Sequence, residues 1–355
     1  MNRRLLFIAG AGVGLIAIVL VAHFIIQRQV RSQVAPAPTA APTVAATSAP
    51  TATPIPTLVP TATPVPKPAP SATPAPTQVS PSPTPTPGPI VTLDKLGVGV
   101  YSSNISINTL RILRPAMLLI QDPEVNTAPE LRHVFPKALI VGRRFAADGD
   151  PLLAHCSDAK EDHYAKGSAF ADYVSRWAIP LKGVVDAWVS DNEQASSSDR
   201  AALPCHAQFQ LGFIEQLQGK YGIAAVAGND GSGALEPSDY PKYFAKPISE
   251  ATYFGIHAYG KPEARTLQTP DAQFYALRYR LIHDALVNAG VPLPKGGFLL
   301  TETGLFMGWR GFTPDGNMAA DFIWLERQTE QDAYVKGQMM FGLGMSQHFA
   351  SFELQ

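Results

Sequence analysis

Two stretches of the chain decide its fold: VVDAWVSDNE at residues 184–193 and FLLTETG at residues 298–304. Each begins as an apolar run, and such runs are typical of parallel strands that are buried on both faces. Each run leads to a glutamate, Glu193 in the first and Glu302 in the second. Because parallel strands of a barrel end at the same face, we expect the two carboxylates to meet at one cleft.

Apolar runs alternate with helix-like stretches from about residue 91 to the C-terminus. Such alternation predicts a parallel sheet with right-handed crossovers. Eight strands in about 265 residues predict a closed (β/α)8 barrel, the TIM barrel. The predicted strands span residues 96–101, 116–120, 138–142, 184–189, 223–227, 252–257, 297–301 and 347–352. Predicted helices between them include residues 164–178, 207–221, 271–289 and 319–341.

The end of the chain does not fit this scheme. Only three residues follow the predicted eighth strand at 347–352, so the helix that should pack outside that strand is expected to be absent. Three explanations are compatible with the sequence: a truncated reading frame, an incomplete barrel, or a strand count that is wrong by one.

The first 90 residues predict an anchor and a spacer. Residues 5–26 form an apolar run that is interrupted only by His23, long enough to cross a hydrocarbon core of about 30 Å. We therefore interpret residues 1–34 as a cytoplasmic stub with a transmembrane signal anchor; a cleaved signal peptide is the alternative. Residues 35–90 consist largely of Pro, Thr, Ala and Ser and predict a disordered linker. Residues 91–355 are then the barrel domain, exported across the membrane.

Composition excludes one class of partner. The formal net charge is -1, and no basic stripe accompanies aromatic side chains, so nucleic acid binding is not expected.

Two cysteines, Cys156 and Cys205, lie in predicted loops on the same barrel face. In an exported chain they are candidates for one disulfide. The alternative is a metal site, which has no recognised zinc spacing to support it. Its candidate ligands are His155, Cys156, Asp158, Asp162, His163, Cys205 and His206.

The two glutamates suggest glycoside cleavage with retention, which needs one carboxyl group as acid and base and another as nucleophile. Glu193 and Glu302 lie 109 residues apart, which is about three βα repeats of a barrel. One carboxyl group must hold a proton while the other stays ionised, so the two need different environments.

Three short motifs resemble the clan A glycoside hydrolases, which are TIM-barrel retaining β-glycosidases. They are Asn192-Glu193, the His257-Ala-Tyr259 triplet, and Thr301-Glu302-Thr-Gly304, in the order and spacing of that clan. The resemblance covers roughly residues 96–354, and the family within the clan is not assigned. Two departures stand out: the strand-four motif lacks its proline, and no tryptophan lies in the predicted eighth strand.

The resemblance implies a role for each motif residue. Glu193 would be the acid/base and Glu302 the nucleophile, with Asn192 binding the sugar 2-hydroxyl. Tyr259 would orient Glu302, and His257 would line the subsite. An arginine usually supports the nucleophile in this clan, and either Arg143 or Arg144 is a candidate here. Trp309 is a candidate for stacking against a sugar.

These observations predict a membrane-tethered, extracytoplasmic and monomeric enzyme that hydrolyses β-linked polysaccharides or oligosaccharides. The chemistry implied by the resemblance requires no metal or organic cofactor. Two alternatives remain open from the sequence: a non-catalytic glycan-binding protein, and a transglycosylase that uses the same two glutamates.

Overall fold

A computed structural model describes most of the predicted barrel domain and none of the first 93 residues. The described ranges are residues 94–103, 105–123, 127–146, 150–158 and 160–354. The predicted anchor at 1–34 and linker at 35–90 lie outside them. Within these ranges, no helix combines the length and the apolar character needed to span a membrane.

Eight parallel strands pair in sequence order and close into a barrel, as the sequence predicted. Strand β1 pairs with β2 on one side and with β8 on the other. The strands are β1 (Leu96–Val100), β2 (Met117–Gln121), β3 (Leu139–Arg143), β4 (Ala187–Val189), β5 (Ala224–Asp230), β6 (Tyr253–Tyr259), β7 (Phe298–Gly304) and β8 (Val335–Leu343).

Helices occupy the connections between the strands. They are α1 (Ile107–Leu113), α2 (Thr127–Val134), α3 (His163–Ala178), α4 (Leu203–Glu215), α5 (Asp239–Tyr243), α6 (Ala245–Glu250), α7 (Arg278–Asn288) and α8 (Asp315–Glu330). A π-helical turn, Gln216–Lys220, continues α4. Short 3-10 helices cover Ser197–Asp199, Ala272–Phe274 and Gln347–Phe352.

The prediction for the last strand was wrong. Residues 347–352 form a 3-10 helix, and the eighth strand is Val335–Leu343, which begins inside the helix predicted at 319–341. Strand β8 lies in the closed sheet, and eight of its nine residues are buried. Such a strand has no polar face, so its sequence lacks the alternation that distinguishes a strand from a helix.

Two apolar layers hold the barrel together. The interior layer includes Met117, Leu119, Val141, Leu299 and Met339. A larger layer lies between the strands and the helices, and it includes Trp188, which is fully buried, as expected for a core residue. Because both faces of the strands are covered, the polar side chains needed for chemistry collect at the strand ends.

Helices α3 and α4 pack closely because each contributes a glycine at the contact. A Cβ on Gly167 would lie 1.9 Å from the carbonyl oxygen of Phe209, and one on Gly212 would lie 2.0 Å from that of Tyr164. The side chain of Asp162 caps α3 by accepting a hydrogen bond from the backbone N–H of Ala165. This rigid pair supports the loop that follows β3.

Candidate active site

Glu193 and Glu302 meet at the carboxyl end of the barrel. Glu302 lies in β7, and Glu193 follows β4 by four residues. One oxygen of each carboxylate and one ring nitrogen of His257 all lie within 4.8 Å of one another. Carboxyl groups of retaining glycosidases are about 5–5.5 Å apart, whereas those of inverting enzymes are about 6.5–9.5 Å apart. The spacing fits the retaining arrangement.

The backbone of Glu193 is held in an unusual conformation. Its φ is 55°, in the left-handed region that side chains other than glycine rarely adopt. Its N–H donates to the carbonyl oxygen of Asn229 in β5, at 3.0 Å, and Asn229 itself has a φ of 68°. A Cβ on Gly231 would lie 3.1 Å from Glu193 Oε1, so this glycine leaves room for the carboxylate. Strain of this kind is common at functional sites.

Glu302 is buried among hydrogen-bond donors. Arg143 Nη1 donates to Oε1 at 2.6 Å, and the Tyr259 hydroxyl donates to Oε2 at 2.8 Å. The Tyr101 hydroxyl lies 3.4 Å from Oε1. Burial raises the pKa of Glu302, but the charges of His257 and Arg143 and the hydrogen bonds from Arg143 and Tyr259 outweigh burial and hold it below its ordinary value. Glu302 is therefore ionised at neutral pH.

Arg143 is the arginine that supports Glu302. Its Nη1 also donates to Asn192 Oδ1 at 2.7 Å, and its Nη2 donates to Gln121 Oε1 at 3.0 Å. Arg143 thus donates hydrogen bonds both to Glu302 and to Asn192, the residue that precedes Glu193.

Arg144 points away from this cluster. It pairs with Asp122 at 3.1 Å, and its guanidinium lies 3.9 Å from the ring centre of Trp177. The choice that the sequence left open between the two arginines is decided in favour of Arg143. Residues 139, 141 and 143 of β3 share one face, so the two-residue period of a strand was the signal that could have selected Arg143.

The ring of His257 lies between the two carboxylates. Nδ1 is 2.7 Å from Glu193 Oε1 and 3.6 Å from Glu302 Oε2. Burial lowers the pKa of His257, but the charge of Glu302, with the hydrogen bond to and charge of Glu193, outweighs burial and raises it. His257 therefore keeps its second ring proton to a higher pH than an ordinary histidine does.

Two tyrosines remain protonated at the site. Burial, and next the charge of Glu302, raise the pKa of Tyr101 and of Tyr259 well above the ordinary value. Both hydroxyls are thus donors toward Glu302. Tyr259 was expected at this place; Tyr101 and Gln121 were missed, although each stands at or just beyond the end of its strand.

Trp309 does not reach the cleft, and the sugar-stacking role expected for it was wrong. Its side chain is 3% exposed and packs edge-on against Phe322 and Phe352. An aromatic ring that is buried on both faces cannot stack against a sugar. At the end of β8 the chain carries Phe341, which contacts Tyr101 and Tyr259.

Phe145 is an exposed aromatic residue that was not among the residues predicted for the site. It is 49% exposed and lies two residues after Arg143. Together with Arg143 and Asn192 it lines a small depression of about 10 Å³. Phe145 is thus an exposed ring beside two residues of the hydrogen-bond cluster around Glu302.

The two cysteines form a disulfide. Cys156 and Cys205 are bonded, and His206 lies 3.5 Å from Cys156 Sγ. Bonded sulfurs cannot act as thiolate ligands, and burial lowers the pKa of His206 to about 4. At Glu193, His257 and Glu302 the spacing of ligand atoms would suit a cation, but Arg143 already supplies positive charge there.

A pair of buried carboxyl groups lies behind the site. Asp191 and Asp230 are 6% and 3% exposed, and Asp191 accepts a hydrogen bond from Ser190. Burial raises the pKa of Asp191 to about 7. Burial, and next the charge of Asp191, raise the pKa of Asp230 to about 8. Asp230 is the last residue of β5.

Comparisons with known proteins found similarity in solved structures alone: no family model and no curated protein matches this chain. A family 39 glycoside hydrolase from Bacteroides cellulosilyticus WH2 is 14% identical with a TM-score of 0.49, over 74% of this chain and 60% of that one. A GH30 endoxylanase from Clostridium papyrosolvens C71 is 13% identical with a TM-score of 0.43, over 71% and 66%.

A GH5 xyloglucanase from Bacteroides ovatus is 10% identical with a TM-score of 0.47, over 74% of this chain and 70% of that one. The chain thus spans less than two thirds of the first two proteins. At these identities the likeness is one of fold. These three solved structures are glycoside hydrolases to whose fold the barrel of this chain is similar.

Proposed function

We propose that this domain is a glycoside hydrolase that cleaves β-linked glycans by double displacement with retention. Glu302 attacks the anomeric carbon, and Glu193 first protonates the leaving oxygen and then takes a proton from water. The observation that carries the proposal is the approach of the two carboxylates to within 4.8 Å, one of them buried and ionised.

The surrounding residues support this division of roles. A nucleophile must be ionised and immobile, and Glu302 is held by Arg143 and Tyr259. An acid/base must reach both substrate and water, and the side chain of Glu193 is 37% exposed. The amide oxygen of Asn192 binds Arg143, which leaves the amide NH2 to donate to a sugar hydroxyl.

The experiment measures sugar release by the purified full-length protein across β-glucans, β-mannans, xylans and aryl β-glycosides. We expect Glu302→Gln to lower turnover by at least ~10⁴-fold, because the amide cannot act as nucleophile. Glu236→Gln is the matched control, since Glu236 is an exposed glutamate of the β5–α5 connection. A 2-deoxy-2-fluoro glycoside should release its leaving group and add the mass of its fluoroglycosyl group to Glu302 of the wild type.

Other outcomes separate the alternatives. Full activity in Glu302→Gln would refute the proposed nucleophile. Glycan binding without release by the wild type would identify a binding protein, and transfer to an added sugar acceptor in preference to water would identify a transglycosylase.

We also propose that the domain is tethered outside the cytoplasm. The support is the apolar run at residues 5–26 and the proline-rich stretch at 35–90 that follows it. Protease treatment of intact cells should remove the barrel while leaving a short membrane-bound fragment. Resistance in intact cells and loss after lysis would contradict this location.

A further inference from the structure

The barrel has a second concave site, at the end opposite Glu193 and Glu302. A pocket of about 700 Å³ is lined by residues that precede the strands or begin them. The lining residues are Asp94, Arg114, Pro115, Ala116, Lys137, Ala138, Leu139, Tyr253, Lys295, Gly296 and Lys336. The pocket therefore lies at the amino ends of the strands, where the chemistry of the carboxyl ends does not reach.

Positive charge dominates this pocket. Four cationic side chains line it: Arg114 before β2, Lys137 before β3, Lys295 before β7 and Lys336 in β8. All four residues are exposed, and Asp94 is the single acidic residue of the lining.

None of these four cations forms an ion pair with a carboxylate among the described residues. Across the described part of the barrel, the ion pairs join other residues, such as Arg132 with Asp186, Lys220 with Asp172 and Arg280 with Asp332. Lys336 Nζ donates to the carbonyl oxygen of Ala333 at 2.9 Å, a contact that leaves its charge uncompensated.

The floor of the pocket is formed by the first residues of two strands. Leu139 begins β3 and Tyr253 begins β6, and both are partly exposed to the pocket. Tyr253 adds a hydroxyl donor to the lining. The pocket thus offers donors from several segments of the chain.

We propose that this pocket binds a phosphate-bearing ligand. Four like charges held around one concavity repel one another and focus a positive potential on it, and a bound polyvalent anion relieves that repulsion. The donors come from four separate segments, which suits the several oxygens of a phosphate group better than the two of a carboxylate. Arginine and lysine are the usual phosphate-binding residues of proteins.

The same chemistry could come from free phosphate or from a phosphodiester, as in a lipid headgroup or a phosphate-containing polymer. Pyrophosphate represents the first source and glycerophosphoglycerol the second. Calorimetric titration of the full-length protein with each compound at constant ionic strength distinguishes them. If one compound binds more tightly than the other, the class of phosphate that it represents is the source of the ligand. Tighter binding of either compound supports the phosphate site.

The test compares two triple variants of equal charge. Lys137→Gln/Lys295→Gln/Lys336→Gln removes three cations of the pocket. Lys160→Gln/Lys242→Gln/Lys246→Gln removes three exposed lysines that lie outside it. We expect the dissociation constant of the preferred compound to rise at least tenfold in the first variant and to stay within twofold in the second.

The site is independent of the proposed glycosidase reaction, so sugar release should be the same in both triple variants and the wild type. Circular dichroism checks that both are folded, and Lys295→Glu alone should weaken binding if the triple variant is unstable. Absence of binding of both compounds to the wild type would overturn the proposal. An equal loss of affinity in both triple variants would also overturn the proposal, because it would show that binding depends on the net charge of the protein and not on this pocket.

Discussion

Arg143 stabilises the ionised form of Glu302 by both its charge and a hydrogen bond. Replacing it by methionine removes a buried charge and the 2.6 Å hydrogen bond, so the pKa of Glu302 should rise. We expect turnover to fall on the order of 10²–10³-fold. The acid limb of kcat/KM should move to higher pH, because the nucleophile becomes protonated over a wider range. A pH–rate profile of Arg143→Met measures both effects.

Arg144 provides the matched control for this prediction. It is the next residue, but it pairs with Asp122 and stacks on Trp177. Arg144→Met should leave the position of the acid limb unchanged. If both variants moved the limb equally, the specific pairing of Arg143 with Glu302 would not explain the effect.

Phe145 should act in substrate binding rather than in chemistry. A stacked aromatic contact contributes about 0.5–1.5 kcal/mol, so Phe145→Ala should raise KM about twofold to twelvefold with kcat nearly unchanged. Phe145→Trp keeps an aromatic surface and should keep KM near the wild-type value. Initial rates on the best glycan of the panel give both constants. A fall in kcat at constant KM would place Phe145 outside the binding subsite.

At the residue scale, the sequence predicted the residues whose identity the reaction requires. It missed the residues whose burial or exposure depends on tertiary packing. Glu302 and His257 follow from motif and strand position. The burial of Trp309 depends on Phe322 and Phe352, which approach it only in the folded chain. Phe145 is exposed because of the path of its loop, which no local pattern encodes.

Among the elements, the connection between β3 and α3 is fixed to α4 by the Cys156–Cys205 disulfide. The bonded residues are 49 positions apart, and a closed loop of that length contributes about 4 kcal/mol in the chain-entropy estimate. We expect Cys156→Ala/Cys205→Ala to lower the free energy of unfolding by about 2–4 kcal/mol. Urea unfolding of the variant and of the oxidised wild type measures this difference in the free energy of unfolding.

The reduced wild-type protein is the comparison for that variant. Its urea midpoint of unfolding should equal the midpoint of the variant. If the variant and the reduced protein unfolded at the same urea concentration as the oxidised wild type, the disulfide would contribute nothing to stability.

Seven strands were predicted close to their observed positions because each is a short apolar run bounded by polar residues. The prediction of strand β8 failed for a physical reason. Residues 335–341 contain Lys, Gln and Met, which are good helix formers, and they follow directly on α8. Pairing with β1 and β7 overrides that local preference. After β8 the described residues form a 3-10 helix, Gln347–Phe352, and no α-helix follows up to residue 354.

For the whole molecule, the buried carboxyl groups of Asp191 and Asp230 should make the free energy of unfolding depend on pH. The pKa of Asp230 is raised by burial to about 8, far above its value of about 3.9 in an unfolded chain. Between these values the folded state holds a proton that the unfolded state has lost. Stability contributed by this group is therefore present below about pH 4 and is lost as pH rises toward about 8.

Asp230→Asn should remove this dependence, because the amide resembles the protonated acid and cannot ionise. Each pKa unit corresponds to about 1.4 kcal/mol, so the free energy of unfolding of the variant relative to the wild type should increase by at least ~1 kcal/mol between pH 5 and pH 9. Urea unfolding at both pH values gives the difference. Comparing variant with wild type cancels the contributions of the other titrating groups.

Asp321→Asn is the control that ties the effect to the surroundings of the carboxyl group. Asp321 is also buried, but its oxygens accept hydrogen bonds from Thr266, Leu267 and Gln268. An amide cannot accept all of them, so this variant should be destabilised at both pH values. One oxygen of Asp230, by contrast, is buried without a donor. If Asp230→Asn were destabilised near pH 5 as Asp321→Asn is, then Asp230 would already be ionised in the folded barrel at that pH, and the acid pair would belong to the charge network of Glu193 and His257.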